Sequence, residues 1–195
     1  MKLGCIVMAA GQATRFGANK LLEDFCGKPL YRWALEAIPQ DVYEVVHVVT
    51  GYAPIIALAE GLGMTAVFNG SPEVGVSRTI RLGLEGMLDC DGVLFMTADQ
   101  PCLTQASVRK VAALFEADPT MIAAAGCNGK KGNPCLFPHD LLPELMTLEG
   151  DAGGSKVIKA HLERLRLTEV PALELADCDT VQLLRELEEQ KNSEH

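Results

Sequence analysis

The chain has 195 residues, 48% of them hydrophobic and 22% charged, which is typical of a globular domain that buries a sizeable core. Its formal net charge of −9 argues against duplex DNA or an anionic membrane surface as the main partner. A small anionic ligand is still compatible with this charge, because local cations dominate within a Debye length of roughly 8–10 Å.

The sequence predicts a cytoplasmic protein. Its seven cysteines are odd in number and show no CxxC spacing, so we expect reduced and mostly buried thiols. The first residues lack the pattern of a secretory signal, and no apolar run approaches the roughly 20 residues of a membrane span.

Strand-like and helix-like segments alternate over about the first 125 residues. In chain order they are the strand Leu3–Met8, the helix Leu30–Ile38, the strand Glu44–Thr50, the helix Pro54–Leu62, the strand Ala66–Phe68, a helix with Ile80, Leu84, Met87 and Leu88 on one face and Ser77 as its N-cap, the strand Gly92–Thr97, a helix capped by Thr104 with Val108, Val111, Ala112 and Phe115 on one face, and the strand Met121–Ala125. This alternation predicts an α/β fold, a Rossmann-like three-layer αβα sandwich with a mostly parallel sheet.

The last third is less regular. Gly126–Pro138 is rich in Gly, Asn, Lys and Pro and predicts a loop with a short edge strand at Cys135–Phe137. A glycine cluster at Gly150–Ser155 leads into a predicted helix over Lys156–Leu165, and an amphipathic segment at Thr180–Gln190 predicts a C-terminal helix. No segment reads as a linker, so we expect a single domain over residues 1–195.

Three loops follow predicted strands, at residues 9–20, 50–54 and 98–101. Parallel sheets bind ligands at the carboxyl ends of their strands, so these loops are expected to meet at one edge. In the first, the small residues Ala9, Ala10 and Gly11 precede the cations Arg15 and Lys20. The spacing fits neither a Walker loop nor a dinucleotide fingerprint. It does suit a phosphate held by backbone N–H groups and two cations, the alternative being a tight βα turn with surface cations.

Three aspartates are candidate metal ligands. Asp99 lies just beyond the strand Gly92–Thr97, where one carboxylate can contact Mg²⁺ alongside substrate phosphates. Asp177 and Asp179 alternate on an extended stretch, and one of them could complete the site. The alternatives are a local turn hydrogen bond for Asp99 and a helix cap for Asp179.

A helix N-terminus and a glycine-rich segment provide further candidate sites for anions. Gly75 and Ser77 open a helix that carries Arg78 and Arg81, with an ordinary capped helix as the alternative. The cations Lys156 and Lys159 share a helix face after two glycines, and they are usable for a second phosphate or are simply solvated.

These segments together resemble the nucleotidyltransferases related to the molybdenum-cofactor enzymes, the MobA-like NTP transferase family. The stretches that carry the resemblance are "AAG" at 9–11, "RFG" at 15–17, "KLL" at 20–22, "GKPL" at 27–30, "GVSRTIRLGL" at 75–84, "ADQP" at 98–101, "GNPCLFP" at 132–138, "GDAGGSK" at 150–156 and "CDT" at 178–180. The resemblance spans nearly the whole chain and implies a fold of the nucleotide-diphospho-sugar transferase type. Within the family the chain is most similar to the molybdenum cofactor cytidylyltransferase branch, since Ala10 stands where the guanylyl branch reads glycine.

The resemblance implies transfer of CMP from CTP to the terminal phosphate of molybdopterin, with pyrophosphate release and Mg²⁺ as cofactor. It implies nucleotide binding in about residues 1–125 and acceptor binding in about 126–195, and a molybdenum hydroxylase or its chaperone as a partner, with no nucleic acid and no membrane. The implied catalytic residues are Arg15, Lys20 and Asp99; the nucleotide ligands Ala9, Ala10, Gly11, Gln12, Arg15, Lys20, Thr50, Gly75 and Ser77; the metal ligands Asp99 and Asp179; and the acceptor ligands Asn133, Asp151 and Lys156. The alternatives are a GTP-using or other NTP transferase acting on another phosphorylated acceptor, and a non-catalytic cofactor-delivery protein.

Overall fold

A computed structural model describes residues 1–11 and 19–193 of the chain. Its strands are β1 (Leu3–Met8), β2 (Asp24–Phe25), β3 (Lys28–Pro29), β4 (Val45–Thr50), β5 (Thr65–Phe68), β6 (Gly92–Thr97), β7 (Ile122–Cys127), β8 (Lys130–Pro138) and β9 (Leu165–Glu169). Its helices are α1 (Leu30–Glu36), α2 (Ala53–Gly61), α3 (Val76–Leu84), α4 (Gln105–Ala117), α5 (Leu142–Met146), α6 (Gly154–Ala160) and α7 (Val181–Ser193).

Seven strands form one sheet in the order β5-β4-β1-β6-β8-β7-β9, and β2 pairs with β3 in a separate hairpin. β8 is antiparallel to both of its neighbours, while the other neighbouring pairs are parallel. The chain moves outward from β1 to β5 and then returns to place β6 on the other side of β1. This reversal opens a crevice at the carboxyl ends of β1 and β6, where ligands bind in such sheets.

Helices cover both faces of the sheet, which confirms the predicted three-layer αβα sandwich. Because side chains alternate along a strand, Leu3, Cys5 and Val7 of β1 pack on one face with apolar residues of α1, α2 and α4. Ile6 points to the other face and packs with apolar residues of α3, α5 and α6. Both cores are built from fully buried side chains, so they fix the strand ends that carry the site.

The seven cysteines are free thiols and most are buried, as the sequence predicted. Within the described ranges, no helix combines the length and the apolar character that crossing a membrane requires.

Three local predictions were wrong. Residues 126–138 do not form a loop with a short edge strand, because β8 runs from Lys130 to Pro138 in the interior of the sheet, between β6 and β7. The helix predicted over Lys156–Leu165 ends at Ala160, and Leu165 begins β9 at the edge of the sheet. The helix predicted around Ile80 differs at both ends: Gly75 rather than Ser77 occupies the N-cap position of α3, and the helix ends at Leu84, so Met87 and Leu88 lie beyond it.

The C-terminal helix α7 packs against the β2–β3 hairpin. Leu184 and Leu187 are buried with Phe25, and Glu188 accepts a hydrogen bond from the Cys26 backbone N–H at 2.9 Å. The Lys191 ammonium lies 3.5 Å from the centre of the Trp33 ring, a cation–π contact. It also donates to the Pro101 carbonyl oxygen at 3.1 Å, so α7 braces both the hairpin and the loop that follows β6.

Candidate active site

A lysine and two aspartates from distant parts of the sequence meet in the crevice between β1 and β6. Lys20 Nζ donates to Asp99 Oδ2 at 2.7 Å and to Asp179 Oδ1 at 2.8 Å. The Lys20 and Asp99 side chains are 17% and 18% exposed, whereas Asp179 is 59% exposed. The mostly buried Lys20–Asp99 pair is therefore joined at its open side by a solvent-accessible carboxylate.

The three residues are positioned by backbone contacts. The Asn19 side chain accepts from the Leu21 N–H at 3.2 Å, which starts the short helical turn that carries Lys20. The Cys178 N–H donates to the Asp99 carbonyl oxygen at 2.8 Å, tying the segment before α7 to the end of β6. The Thr180 hydroxyl accepts from the Leu183 N–H at 3.1 Å and so satisfies a backbone donor at the start of α7. The Asp179 carboxylate therefore remains available to Lys20.

Electrostatics keep Lys20 charged. Burial disfavours the ammonium, but the charges and hydrogen bonds of Asp99 and Asp179 outweigh this cost and raise the pKa of Lys20 above 10.5. The pKa of Asp177 is raised as well, to about 6, because desolvation and the negative charges of Asp99 and Asp179 disfavour its ionised form. Among the described residues, Lys20 is thus a permanent cation beside three carboxyl groups.

Asp177→Asn is expected to raise the melting temperature at pH 8 and to leave it unchanged near pH 4. A carboxyl whose pKa is higher in the folded than in the unfolded state loses folding free energy as pH rises through the interval between the two values. Here the interval runs from the usual value of 3.8 to about 6, so the cost of the charged Asp177 is complete above pH 6. Thermal melts of variant and wild type at both pH values measure the difference, and an equal shift at both would contradict this assignment.

The structure brings the start of the first loop beside the ends of β1 and β4. Ala9 and Ala10 are buried, and the Ala9 N–H donates to the Val49 carbonyl oxygen at 2.9 Å. The Tyr52 hydroxyl donates to the Gly11 carbonyl oxygen at 3.3 Å, a contact that fixes where the loop leaves the sheet. Gln12 and Arg15, which the sequence assigns to the nucleotide, lie outside the described residues.

Thr50 is placed at the carboxyl end of β4. It is fully buried, and its hydroxyl accepts from the Tyr52 N–H at 3.1 Å while its carbonyl oxygen accepts from the Asn69 N–H at 2.9 Å. The polar groups of Thr50 thus stabilise the turn that positions Tyr52. The sequence did not predict a role for Tyr52, although this residue lies in one of the loops expected at this edge.

The predicted nucleotide residues Gly75 and Ser77 contact the predicted acceptor segment at residues 150–156. The Ser77 N–H donates to the Gly150 carbonyl oxygen at 3.0 Å, and the buried Ser77 hydroxyl has no hydrogen-bond partner among the described residues. Gly75 has a φ of +108°, and a Cβ added there would lie 2.3 Å from the Gly150 carbonyl oxygen and 2.9 Å from the Asp151 nitrogen. The site therefore depends on glycine at position 75, which lets two backbones pack in contact.

Gly75→Ala is expected to destabilise the protein by about 3 kcal/mol, because a positive φ and a backbone clash act together. Gly86→Ala is the matched control, since Gly86 has a φ of +82° with nothing within 4 Å of an added Cβ. The control should cost about 1–2 kcal/mol from the backbone conformation alone. Urea unfolding of both variants measures the difference, and equal losses would show that the Gly150 segment moves aside freely.

The three predicted acceptor residues lie on different segments: Asn133 in β8, Asp151 in the turn before α6 and Lys156 in α6. With its amide oriented to satisfy both atoms, Asn133 donates to the Phe95 carbonyl oxygen at 3.1 Å and accepts from the Thr97 N–H at 3.0 Å. Asn133 and Asp177 line a cavity of about 530 Å³ between the β7–β8 turn and residues 172–177. Asp151 is exposed beside the start of α3, and Lys156 is exposed on α6.

The carboxylates in the crevice fit a divalent ion. Asp99 Oδ1 is buried and has no hydrogen-bond partner among the described residues, so it retains a free lone pair aimed into the protein. Mg²⁺ prefers oxygen ligands and normally takes one or two protein carboxylates, with phosphates and water completing its shell. No group of three or more His, Cys, Asp or Glu side chains within residues 1–11 and 19–193 is arranged to hold a metal ion. Asp99 and Asp179 provide two carboxylates, each within hydrogen-bond distance of Lys20.

A protein-family model described as the MobA-like NTP transferase domain matches residues 5–165, more than three quarters of the chain. The chain belongs to this family. The crevice at the carboxyl ends of β1 and β6 lies within the matched residues. Asp177 and Asp179 lie beyond them, so the contact from Asp179 to Lys20 joins a segment outside the match to the family domain.

Two curated proteins are similar to part of the chain, and the name of one of them states a cytidylyltransferase activity. The chain is 30% identical over 122 residues to the 3-deoxy-manno-octulosonate cytidylyltransferase of Bdellovibrio bacteriovorus, covering 62% of this chain and 49% of that protein. It is 26% identical over 109 residues to the bifunctional protein GlmU of Pseudothermotoga lettingae, covering 55% of this chain and 24% of that protein. The matches span less than half of the length of each of these relatives.

Solved structures share the fold over nearly the whole chain. Rv0371c from Mycobacterium tuberculosis H37Rv matches with a TM-score of 0.82 at 24% identity, covering 96% of this chain and 97% of that one. The same mycobacterial protein has been solved in complex with manganese, with a TM-score of 0.78 at 22% identity over 97% of this chain and 99% of that one. At these identities the likeness concerns the fold.

Proposed function

We propose that this MobA-like nucleotidyltransferase moves CMP from CTP to the terminal phosphate of molybdopterin and releases pyrophosphate. The observation that carries the proposal is the Lys20 ammonium held 2.7 and 2.8 Å from two carboxylates at the carboxyl ends of the central strands. A cation beside carboxylates that can hold a metal suits a reaction between two polyanions. The cytidylyltransferase activity in the name of the Bdellovibrio relative favours CTP, as does Ala10.

In the proposed reaction an oxygen of the acceptor phosphate forms a bond to the α-phosphorus, and the bond from that phosphorus to the pyrophosphate oxygen breaks. A terminal phosphate has a second pKa near 6 and is largely ionised at pH 7, so the attacking oxygen needs no protein base. Lys20 and Arg15 offset the charge that grows on the leaving pyrophosphate, which is the main electrostatic cost of the step. Mg²⁺ held by Asp99 and Asp179 would supply Lewis-acid stabilisation of the phosphate oxygens.

Binding of the two substrates is proposed for the two sides of the crevice. The backbone of Ala9–Gly11 with Thr50, Gly75 and Ser77 would hold the nucleotide, and Gln12 would join them. Asn133, Asp151 and Lys156 would contact the acceptor in the second half of the chain. We also propose that the protein acts in the cytoplasm, where a molybdenum hydroxylase or its chaperone would receive the product.

A pyrophosphate-release screen tests the proposal. Each of the four NTPs is offered with molybdopterin, with 3-deoxy-manno-octulosonate or with no acceptor, and the products are analysed by mass spectrometry. We expect release with CTP and molybdopterin together, and a product that carries CMP. Release with GTP would move the protein to another branch of the family, and release with the sugar acid would replace the acceptor. Tight nucleotide binding without release under any condition would favour a delivery protein.

A further inference from the structure

The two carboxylate oxygens that bind Lys20 belong to the residues proposed to hold the metal. Asp99 Oδ2 and Asp179 Oδ1 lie 2.7 and 2.8 Å from the ammonium nitrogen. Mg²⁺ requires its oxygen ligands at about 2.0–2.1 Å in a nearly ideal octahedron. An ammonium hydrogen-bonded to both oxygens takes up one lone pair on each of them, and its charge repels a second cation that approaches the same oxygens.

We propose that Lys20 and the divalent ion compete for the Asp99–Asp179 pair, and that the triphosphate resolves the competition by drawing Lys20 away. Lys20 then acts as an internal counter-ion that keeps the metal site closed until a nucleotide is present. The proposal rests on the part of the proposed function that gives the metal to these carboxylates, and it does not depend on which nucleotide or acceptor is used.

Lys20 can make this exchange. Its ammonium is a point charge on a flexible four-carbon stem, so it can turn from one set of oxygens to another without moving the backbone. It is the first residue of the short helical turn Lys20–Leu22, which the Asn19 side chain caps, so the backbone that carries it is fixed. The triphosphate offers several anionic oxygens in place of two carboxylates, so the lysine remains neutralised after it moves.

The exchange links metal and nucleotide binding. Because a free ion must break two charge-assisted hydrogen bonds to enter, the protein without nucleotide should bind a divalent metal weakly. Linkage is reciprocal: if a bound nucleotide removes Lys20 from the carboxylates and so strengthens metal binding by some factor, bound metal strengthens nucleotide binding by the same factor. The competing arrangement places the ion on the unpartnered Asp99 Oδ1 and leaves Lys20 where it is. In that arrangement Lys20 would have little influence on metal binding.

Titration with Mn²⁺ alone, followed by calorimetry, separates these arrangements. Lys20→Met should bind Mn²⁺ about 5- to 150-fold more tightly than wild type in the absence of nucleotide, the usual range of coupling between linked sites. Lys131→Met is the matched control, since Lys131 lines the cavity shared with Asp177 and makes no ion pair with any residue in the described ranges. Removing its exposed charge should change the affinity by less than about threefold, because solvent screens it.

Acetylation of wild-type lysines gives a second readout that does not require a variant. At a Mn²⁺ concentration that saturates the site, Lys20 should react faster with acetic anhydride, and Lys2, whose ion pair with Asp89 lies elsewhere, should react at its original rate. Equal Mn²⁺ affinities for wild type and Lys20→Met, no binding by either, or an unchanged Lys20 acetylation rate would each overturn the exchange. A failure of the CTP and molybdopterin assignment would appear in the pyrophosphate screen and would leave these metal measurements unchanged.

Discussion

Asp99→Asn is expected to lower the single-turnover rate by about a thousandfold and to leave the fold intact. The carboxylate has two functions in the crevice, since one oxygen holds Lys20 at 2.7 Å and the other is buried without a partner among the described residues. An amide has nearly the same shape but no charge, so it neither neutralises the ammonium nor binds a divalent ion strongly.

The fold should survive because the contacts that place residue 99 are made by its backbone. The Asp99 carbonyl oxygen accepts from the Cys178 N–H at 2.8 Å, a bond that the substitution keeps. Asp89→Asn is the matched control, since Asp89 also pairs with a lysine, Lys2 at 2.6 Å, but its side chain is 69% exposed. Solvent screens that surface pair, so its loss should leave turnover unchanged.

Single-turnover reactions with radiolabelled CTP and molybdopterin measure the rate, and thermal melts measure the fold. A near-normal rate for Asp99→Asn would remove Asp99 from the metal site. A large fall in rate accompanied by a melting temperature many degrees below that of Asp89→Asn would instead assign the residue a structural role.

The sequence predicted the central strands closely because their signal is local. β1 and β6 have the bounds expected from two continuous apolar runs, Leu3–Met8 and Gly92–Thr97. The helix after Thr104 was equally well predicted, since the threonine hydroxyl accepts from the Ser107 N–H at 3.3 Å and every residue of the apolar face is buried. Burial on both faces of a parallel sheet leaves little choice of side chain, so composition alone identifies such strands.

The second half was harder because tertiary contacts override local propensity there. The Gly, Asn, Lys and Pro residues of 126–138 predict turns, yet β8 pairs with two neighbours. Its glycine is required by packing, since a Cβ at Gly132 would lie 2.9 Å from the Leu175 side chain. The bonds from Asn133 to the backbone of β6 explain the asparagine in the strand, and neither contact is visible in the sequence.

The site shows the same division between local and distant information. Spacing identified Lys20 and Asp99 as residues that follow central strands, and parallel-sheet topology predicted that such loops meet. Asp179 stands 159 residues beyond Lys20, and its assignment to the metal depended on the resemblance together with the carboxylate pattern. The sequence did not predict roles for Tyr52 and Asn19, because these roles are hydrogen bonds to the backbone of Gly11 and Leu21, which no sequence pattern shows.

Lys20→Met is expected to slow turnover by about a hundredfold or more, equivalent to roughly 3 kcal/mol of barrier, the scale of one lost charge-stabilising donor at a reacting centre. Because pyrophosphate gains charge as it leaves, the ammonium interacts more strongly with the transition state than with bound CTP. The fall should therefore appear mainly in kcat, with a smaller rise in KM for CTP.

The loss should be independent of pH between 6 and 9, since the pKa of Lys20 is raised above 10.5 and the group stays charged throughout. Lys2→Met breaks the surface pair with Asp89 and serves as the control for a lysine removed elsewhere. A fall of less than about tenfold would return Lys20 to a structural role. The exchange predicts that Lys20→Met has two opposite effects: the variant binds the free ion more tightly, and it turns over more slowly. If Lys20 only neutralised Asp99 and Asp179, its replacement by Met would still tighten metal binding but would leave kcat high, because an ion on the carboxylates would replace the lost charge.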